Sequence, residues 1–337
     1  MSRDVTVVVP AYGGAERLRT LLAALAAQSE AAGAEPLAVI VADDASPSAL
    51  ADLLTAPSGL SLEIVRAARN GGPGAARNLA LPLVRTEWVA FLDSDTVPAA
   101  GWLDALDRVV ADDRLDVVEG PVEIPGEATP FTHATESHVP GLSHVSCNLA
   151  LRTQTLRRLG GFDERFYDAS RKLHFREDTD LFFRLEDDGC AIGWEPRLVV
   201  DHPPLPASFA TPLRLSRRYH FDPLLAREHP ARFAEFLGRR RLGPLTLRAA
   251  RHDAALLAVG GTLVAAGGIV AGSRVATRLG MAGAATGWAA TAYALARGRR
   301  VRAADVAPLA VVSALVPWVY AWHYYRGVVR FRHRPRL

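Results

Sequence analysis

The chain has 337 residues, enough for one large α/β domain or two ordinary ones with a buried core. Its net charge of +3 hides two opposed parts: from Gly238 onward sixteen arginines face two acids, Asp253 and Asp305, whereas residues 1–237 hold 23 basic and 34 acidic side chains. Two cysteines without zinc-ligand spacing argue against a disulfide framework, and arginines set between apolar runs argue for membrane flanks rather than a nucleic-acid arm.

The first residues, Met-Ser-Arg-Asp, lead directly into a strand without an apolar signal-peptide core. Together with the sparse cysteines, this puts the expected location of the N-terminal domain in the reducing cytosol. Val5 to Val9 is a β-branched run ending at Pro10, the pattern of a buried strand. Leu18, Leu21, Leu22 and Leu25 recur at helical spacing and predict a helix over Ala15 to Gln28. Leu37 to Ala42 predicts a second strand ending at Asp43-Asp44, and Leu62 to Ala67 a third. Pro73 suits the first turn of a helix that continues from Ala75 to Val84. Trp88 to Leu92 is a fourth buried strand, ending at Asp93. Short apolar strands alternating with helices predict an α/β fold, a mainly parallel sheet covered on both faces. Ligands bind such sheets at the strand ends, where the acidic and glycine-rich turns fall here.

Asp116 to Ile124 predicts one further strand, and Pro125 to Ser143, rich in Gly, Pro and His, a loop. Gly161-Phe162-Asp163 marks a turn, Asp178 to Asp188 a helix closed by Gly189, and Leu198 to Val200 a last strand. Phe209 to Arg241 is Arg- and Phe-rich with the spacing of a helix lying on a membrane surface. Three apolar runs follow, Ala254 to Gly272, Met281 to Ala296 and Ala303 to Tyr325, each near the ~20 residues that a bilayer core requires. Gly and Ala in the first two suit close packing in lipid; a soluble helical hairpin is the alternative. Trp318, Tyr320, Trp322, Tyr324 and Tyr325 have the composition of an interfacial aromatic belt. The arginines conflict over topology. Arg239, Arg240, Arg241, Arg248 and Arg251 hold the start of the first span in the cytosol, and Arg297 to Arg302 suit a cytosolic return. A third full span would then strand the basic tail, Arg326 to Arg336, on the far side. The expected organisation is a catalytic domain over 1–208, basic interface helices over 209–252, two or three membrane helices over 253–325 and a basic tail over 326–337.

The segment richest in chemistry is Phe91-Leu92-Asp93-Ser94-Asp95. Two carboxylates one residue apart, at the end of a buried strand, suit a hard cation with oxygen ligands. Such an ion neutralises a diphosphate leaving a sugar carbon. Asp is also common at helix N-caps and turns, so the triplet carries weight only in its setting.

That setting is an ordered series: Val7-Val8-Val9-Pro10-Ala11-Tyr12, Ala42-Asp43-Asp44-Ala45-Ser46, Asn70-Gly71-Gly72-Pro73-Gly74-Ala75-Ala76-Arg77-Asn78, then Asp93-Ser94-Asp95. Ser146-Cys147-Asn148-Leu149-Ala150-Leu151-Arg152, Gly160-Gly161-Phe162-Asp163-Glu164 and Arg176-Glu177-Asp178-Thr179-Asp180-Leu181-Phe182-Phe183-Arg184 follow. In this order and over roughly Val5 to Pro203 the chain resembles the family 2 glycosyltransferases, inverting enzymes of the Rossmann-like GT-A fold. The resemblance implies a nucleotide-diphosphate sugar donor (UDP-, dTDP- or GDP-linked) and Mg2+ or Mn2+. It places Pro10, Tyr12 and Asp44 at the nucleobase. Asp43 is the second choice for the base contact, and one of the Asp43-Asp44 pair has a helix cap as its alternative. Gly71, Gly72 and Gly74 permit close backbone approach at a helix N-terminus, and Arg77 reaches the nucleotide or its phosphates. Asp95 is the firmer metal ligand, Asp93 is shared between metal and ribose, Ser94 lies between them, and His202 completes the metal shell.

By the same resemblance Asp178 is the general base, taking the acceptor hydroxyl proton, while Glu177, Asp180 and Asn148 serve the acceptor. These acids would otherwise simply enrich the first turn of a helix, where they are favourable. Processive synthases of the family carry Gln-any-any-Arg-Trp. The nearest stretch here, Leu215-Ser216-Arg217-Arg218-Tyr219, lacks the Gln and has Tyr for Trp, which disfavours processivity. Arg217 to Pro230 has a looser resemblance to glycosyltransferases associated with mycofactocin. The apolar C-terminal part implies a cell-membrane location, a cytoplasm-facing catalytic domain and a lipid-linked or envelope-glycan acceptor, with no nucleic-acid partner. Two other readings were weighed. A sugar-1-phosphate nucleotidylyltransferase would need a basic residue in Pro10-Ala11-Tyr12-Gly13-Gly14, and an inactive membrane scaffold would have no need of Asp93, Asp95 and Asp178.

Overall fold

The computed structural model describes residues 4–33, 35–112, 114–133, 135–138, 144–236, 240–242, 245–247 and 250–332. Arg239, Arg248, the tail from 333 onward and part of the loop before His144 lie outside the described residues. The chain divides into two compact units, Met1–Gly126 with Ala134–Pro204, and Glu127–His133 with Leu205–Leu337.

In the first unit, β1 (Val5–Ala11) is buried throughout because it is covered on both faces. Val5, Val7 and Val9 face the leucines of α1 (Ala15–Ala31), and Val8 faces the opposite layer. On either side of β1 lie β2 (Leu37–Asp43), which leads to β3 (Leu60–Arg66), and β4 (Trp88–Leu92), all parallel. Between β3 and β4 runs α2 (Gly72–Ala80), with Pro73 in its first turn as expected. A short β5 (Val97–Pro98) and α3 (Trp102–Val110) follow β4; α3 packs on the α1 side through Trp102, Leu103 and Leu106.

The expected strand over Asp116 to Ile124 is two strands, β6 (Val117–Glu119) and β7 (Val122–Glu123), belonging to different sheets. Gly120 makes the break: a Cβ there would collide with the carbonyl oxygen of Leu198. β8 (Asn148–Arg152) runs antiparallel between β4 and β6, so the mainly parallel sheet that was expected carries one antiparallel strand. After β8 come α4 (Thr153–Arg158), the hairpin of β9 (Tyr167–Asp168) and β10 (Leu173–His174), and α5 (Glu177–Asp187). Gly189, at φ +76°, ends α5, and the amide of Cys190 donates back to the carbonyl of Leu185. β11 (Ile192–Trp194) completes a seven-stranded sheet of order β11-β6-β8-β4-β1-β2-β3. β12 (Val200–Asp201) joins β5 and β7 in a separate three-stranded sheet.

In the second unit the amphipathic stretch is three short helices, α6 (Ala210–Ser216), α7 (Asp222–Glu228) and α8 (Pro230–Phe236), where one surface helix was expected. Pro230 explains the last break, because His229 before it leaves helical geometry. A hairpin of β13 (Arg240–Leu242) and β14 (Leu245–Leu247) precedes α9 (Ala250–Val270), α10 (Arg274–Ala296) and α11 (Val306–Arg332). Helices α9 and α10 pack so closely that a Cβ at Gly287 would collide with the backbone of Ala258. Among the described residues, two helical stretches are long and apolar enough to cross a membrane, His252–Val270 and Ala303–Phe331, with mean hydropathy 1.8 and 1.6.

Candidate active site

The carboxylate turn follows directly from β4. Buried Thr96 fixes it, donating from its backbone N (3.0 Å) and Oγ1 (2.8 Å) to the carbonyl of Asp93. β12 pairs antiparallel with β5 in the register Asp201 to Val97, which carries the next residue, His202, to the turn. Asp93, Asp95 and His202 each offer a ligand atom, all within 4.8 Å of one another. His202 Nε2 stands 3.8 Å from Asp95 Oδ1. Burial pushes the Asp95 carboxyl up, and repulsion from Asp93 adds to this, against opposing charge from His202 and Arg17. A two-carboxylate, one-imidazole set with a crowded, buried negative charge fits a divalent cation.

Arg77 belongs to this cluster. It is 2% exposed, and its Nη2 donates to Asp93 Oδ1 at 2.6 Å. The guanidinium lies 5.9 Å from the Phe91 ring centroid and 5.1 Å from that of Phe162. Its remaining donors, Nε and Nη1, have no partner among the described residues. The side chain orients Asp93 and keeps two donors in reserve.

Helix α5 presents the second pair of acids. Glu177 is buried and holds His174 Nδ1 at 3.2 Å through Oε1, while Oε2 has no partner among the described residues. Burial opposes its ionisation, but His174 and Arg77 outweigh burial and keep the carboxyl low. Half-buried Asp178 accepts from the Thr179 amide at 2.7 Å. Its carboxyl is pushed up to about 7, first by burial and then by the charge of Glu177. Two adjacent acids driven apart in this way are equipped for different roles, one a fixed charge and one a proton acceptor near neutrality.

Cys147, within the segment Ser146 to Arg152, feels the charges of this site. Its buried thiol is pushed well up by burial, then by Asp93, with Arg77 opposing and Asp178 and Asp95 adding to the rise.

Several residues expected at ligands are engaged within the fold. Pro10 is buried in β1 opposite Ala42. Asp43 accepts from the amides of Ser46 (2.8 Å) and Leu50 (3.1 Å) and from Arg66, which is the capping alternative. Asp44 accepts from the amides of Gly71 (2.7 Å) and Gly72 (2.8 Å), so it clamps the glycine turn. That turn approaches protein: Gly72 sits at φ +84°, and a Cβ there would lie 2.6 Å from the Tyr167 ring. The Asn148 amide is consumed by Pro121 O (3.0 Å), Leu198 O (2.6 Å) and Trp102 Nε1 (3.0 Å). Buried Asp180 pairs with Arg184, which also donates to the carbonyls of Leu159 and Gly161. Asn148 and Asp180 thus brace the site through bonds within the fold. Tyr12 does reach solvent, 43% exposed, with Lys172 Nζ 4.9 Å over its ring and 2.8 Å from its hydroxyl. Ser94 is half-buried within the turn. Lys172, a non-glycine residue with positive φ, and Arg17, whose charge acts on Asp95, carried no motif signal.

A doubly covered sheet with this carboxylate turn at a strand end defines the GT-A class of glycosyltransferase. The chain belongs to glycosyl transferase family 2, whose profile matches residues 6–182. Among curated relatives, the pre-mycofactocin glycosyltransferase of Mycobacterium tuberculosis is 33% identical over 221 residues, covering 59% of this chain and 43% of that protein. Succinoglycan biosynthesis protein ExoO of Rhizobium meliloti is 36% identical over 123 residues, 34% of each chain. The chain thus spans less than half the length of these relatives. Among solved structures, S. aureus TarS shares the fold with TM-score 0.52 and 16% identity, over 99% of this chain and 57% of that one. The mannosyltransferase PcManGT from Pyrobaculum calidifontis, in complex with GDP-Man and Mn2+, gives TM-score 0.50 and 19% identity, over 98% and 88%.

Proposed function

We propose that this glycosyltransferase is inverting, moving a sugar from a nucleotide-diphosphate donor to an acceptor hydroxyl in one displacement at the membrane surface. The observation that carries the reading is the strand-end triad of Asp93, Asp95 and His202, whose ligand atoms lie within 4.8 Å of one another, with buried Arg77 donating to Asp93. Asp178 takes the acceptor proton as that oxygen bonds to the anomeric carbon, while the bond from this carbon to the diphosphate oxygen breaks with its electron pair. Glu177 stays ionised beside it and keeps the Asp178 carboxyl basic. Asp95, Asp93 and His202 would hold Mg2+ or Mn2+, which supplies charge neutralisation for the departing nucleoside diphosphate. The imidazole tilts that choice toward Mn2+. Tyr12 offers its ring to a nucleobase, with a UDP-, dTDP- or GDP-sugar as donor. PcManGT, crystallised with GDP-Man and Mn2+, supports this class of ligands.

The apolar helices of the second unit favour a lipid-linked or envelope-glycan acceptor and a catalytic unit on the cytoplasmic face. An acceptor like that of the pre-mycofactocin glycosyltransferase is the second reading, favoured by that match. The test is transfer by full-length protein in membranes, over a panel of nucleotide sugars, with EDTA and then with Mn2+ restored. Loss and recovery of transfer, with inversion at the anomeric carbon, are expected. Transfer that persists in EDTA would sink the metal role, and a retained anomeric configuration the single displacement.

A further inference from the structure

Length and hydropathy qualify α11 as a membrane span, but its contacts do not fit one. The short helices before α9 and the connection from α10 to α11 lie at the same end of the helical unit. Phe131 stacks on Phe209, the Ser208 amide donates to the Phe131 carbonyl, and Arg302 pairs at 3.2 Å with Glu127 of the same segment. Helix α11 therefore begins at the end where the chain enters α9. A span from there would carry Tyr320 about 21 Å beyond Val306, level with the far half of α9. Instead Tyr320 meets the first turn of α9: its hydroxyl is 2.7 Å from His252 Nδ1, and the Tyr324 ring lies 4.9 Å from the His252 ring. The rest of α11 stays with polar helices preceding α9. His220 Nδ1 is 3.3 Å from the His323 carbonyl, a Cβ at Gly327 would collide with the His220 carbonyl, and Arg227 Nη1 donates to Phe331 O at 2.6 Å.

One face of α11 is left uncovered. Val311, Leu315, Trp318, Trp322, Tyr325 and Val329 are exposed at alternating spacings of four and three, a single stripe along the helix. Its aromatic members are those that settle at headgroup depth, and Arg326 and Arg330 flank them. The α9–α10 pair differs. Leu263, Val264, Ile269 and Val270 of α9 and Val275 and Leu279 of α10 are exposed near its turn, on more than one face, and exposed Arg274 stands at the turn itself.

We infer that α11 lies in the plane of the membrane, its Trp-bearing stripe in the headgroup–acyl boundary, with both ends on the side from which the chain enters α9. This rests on the membrane reading above and removes the topological conflict of the arginines, since the basic tail never crosses. The test uses full-length protein carrying a protease-cleavable C-terminal tag in sealed, oriented membrane vesicles. A Glu235→Cys substitution in a Cys190→Ser background, labelled with an impermeant maleimide, marks the entry side. Tag cleavage and labelling from the same side are expected. Quenching of Trp318 and Trp322 fluorescence, read as the part lost in the Trp318→Phe/Trp322→Phe variant, should be stronger with shallow than with deep brominated lipids. A tag protected on the Glu235 side and cleaved from the other, or stronger quenching by deep lipids, would overturn the inference while leaving the membrane reading intact. Protein recovered in the soluble fraction would remove both.

Discussion

Glu177 and Asp178 are neighbours in sequence, yet their surroundings give them different acidities. With its carboxyl held at about 7, Asp178 is protonated in mildly acidic solution and cannot accept a proton there. The kcat/KM for transfer should therefore fall about tenfold per pH unit below that value, as a pH profile with saturating metal would show. Asp178→Asn should lose about three orders of magnitude or more in transfer while still binding donor. Stability should move the other way. A carboxyl raised from 3.8 to about 7 by folding contributes stability that is fully present below about 3.8 and is lost as pH rises through about 7. The Asn variant should then melt a few degrees above the parent at pH 8, with the gap closing toward pH 4; an unchanged gap would remove burial as the source of the shift. Arg77 permits a second test. Lys keeps the charge but loses the flat guanidinium that lies near Phe91 and Phe162 while donating to Asp93, so Arg77→Lys should raise the Mn2+ needed for half-maximal rate by about 10- to 100-fold. A pure loss of donor affinity at unchanged metal dependence would instead make Arg77 a nucleotide contact.

At the scale of elements, the site depends on two short strands that carry almost no sequence signal. β1 to β4 were legible because their apolar runs are buried on both faces, and Asp93 and Asp95 because they end such a run. His202 could be placed near them only by resemblance. The cause of its position, the pairing of two-residue β12 with two-residue β5, lies in long-range register and not in local pattern. Asn148 and Asp180 show the reverse: their motifs are visible in sequence, but the carbonyls and arginine they bond come from distant segments or the next helical turn and are not. Gly120 tests the register directly. A methyl group there would strike the Leu198 carbonyl and crowd the Asn148 amide, forcing apart the strands that carry His202. Gly120→Ala should cost about 1–3 kcal/mol, measured by thermal unfolding, and weaken metal dependence more than any distant substitution of equal cost. His202→Ala, which leaves the strands in place, should raise the metal requirement about tenfold with little change in melting.

Over the whole molecule, charge and hydropathy separate an acid-rich part, which holds the candidate site, from an arginine-fringed apolar part. If the α9–α10 hairpin inserts while α11 lies on the surface, holding the enzyme in the membrane and presenting it to a membrane-bound acceptor are separable tasks. Replacing Trp318 and Trp322 together by Lys removes the two largest interfacial rings from the exposed stripe and leaves the glycine-packed hairpin untouched. The double variant should stay in the membrane pellet through an alkaline carbonate wash, because the exposed apolar side chains of the hairpin still reach lipid. Hydrolysis of a soluble donor should change little, since the acids, Arg77 and His202 are unaltered. Transfer to an acceptor embedded in the bilayer should fall about tenfold, the effect of roughly 1.4 kcal/mol lost in surface docking. Release of the variant into the wash would assign the anchoring to α11, and loss of donor hydrolysis in step with transfer would place those tryptophans in the service of the chemistry itself.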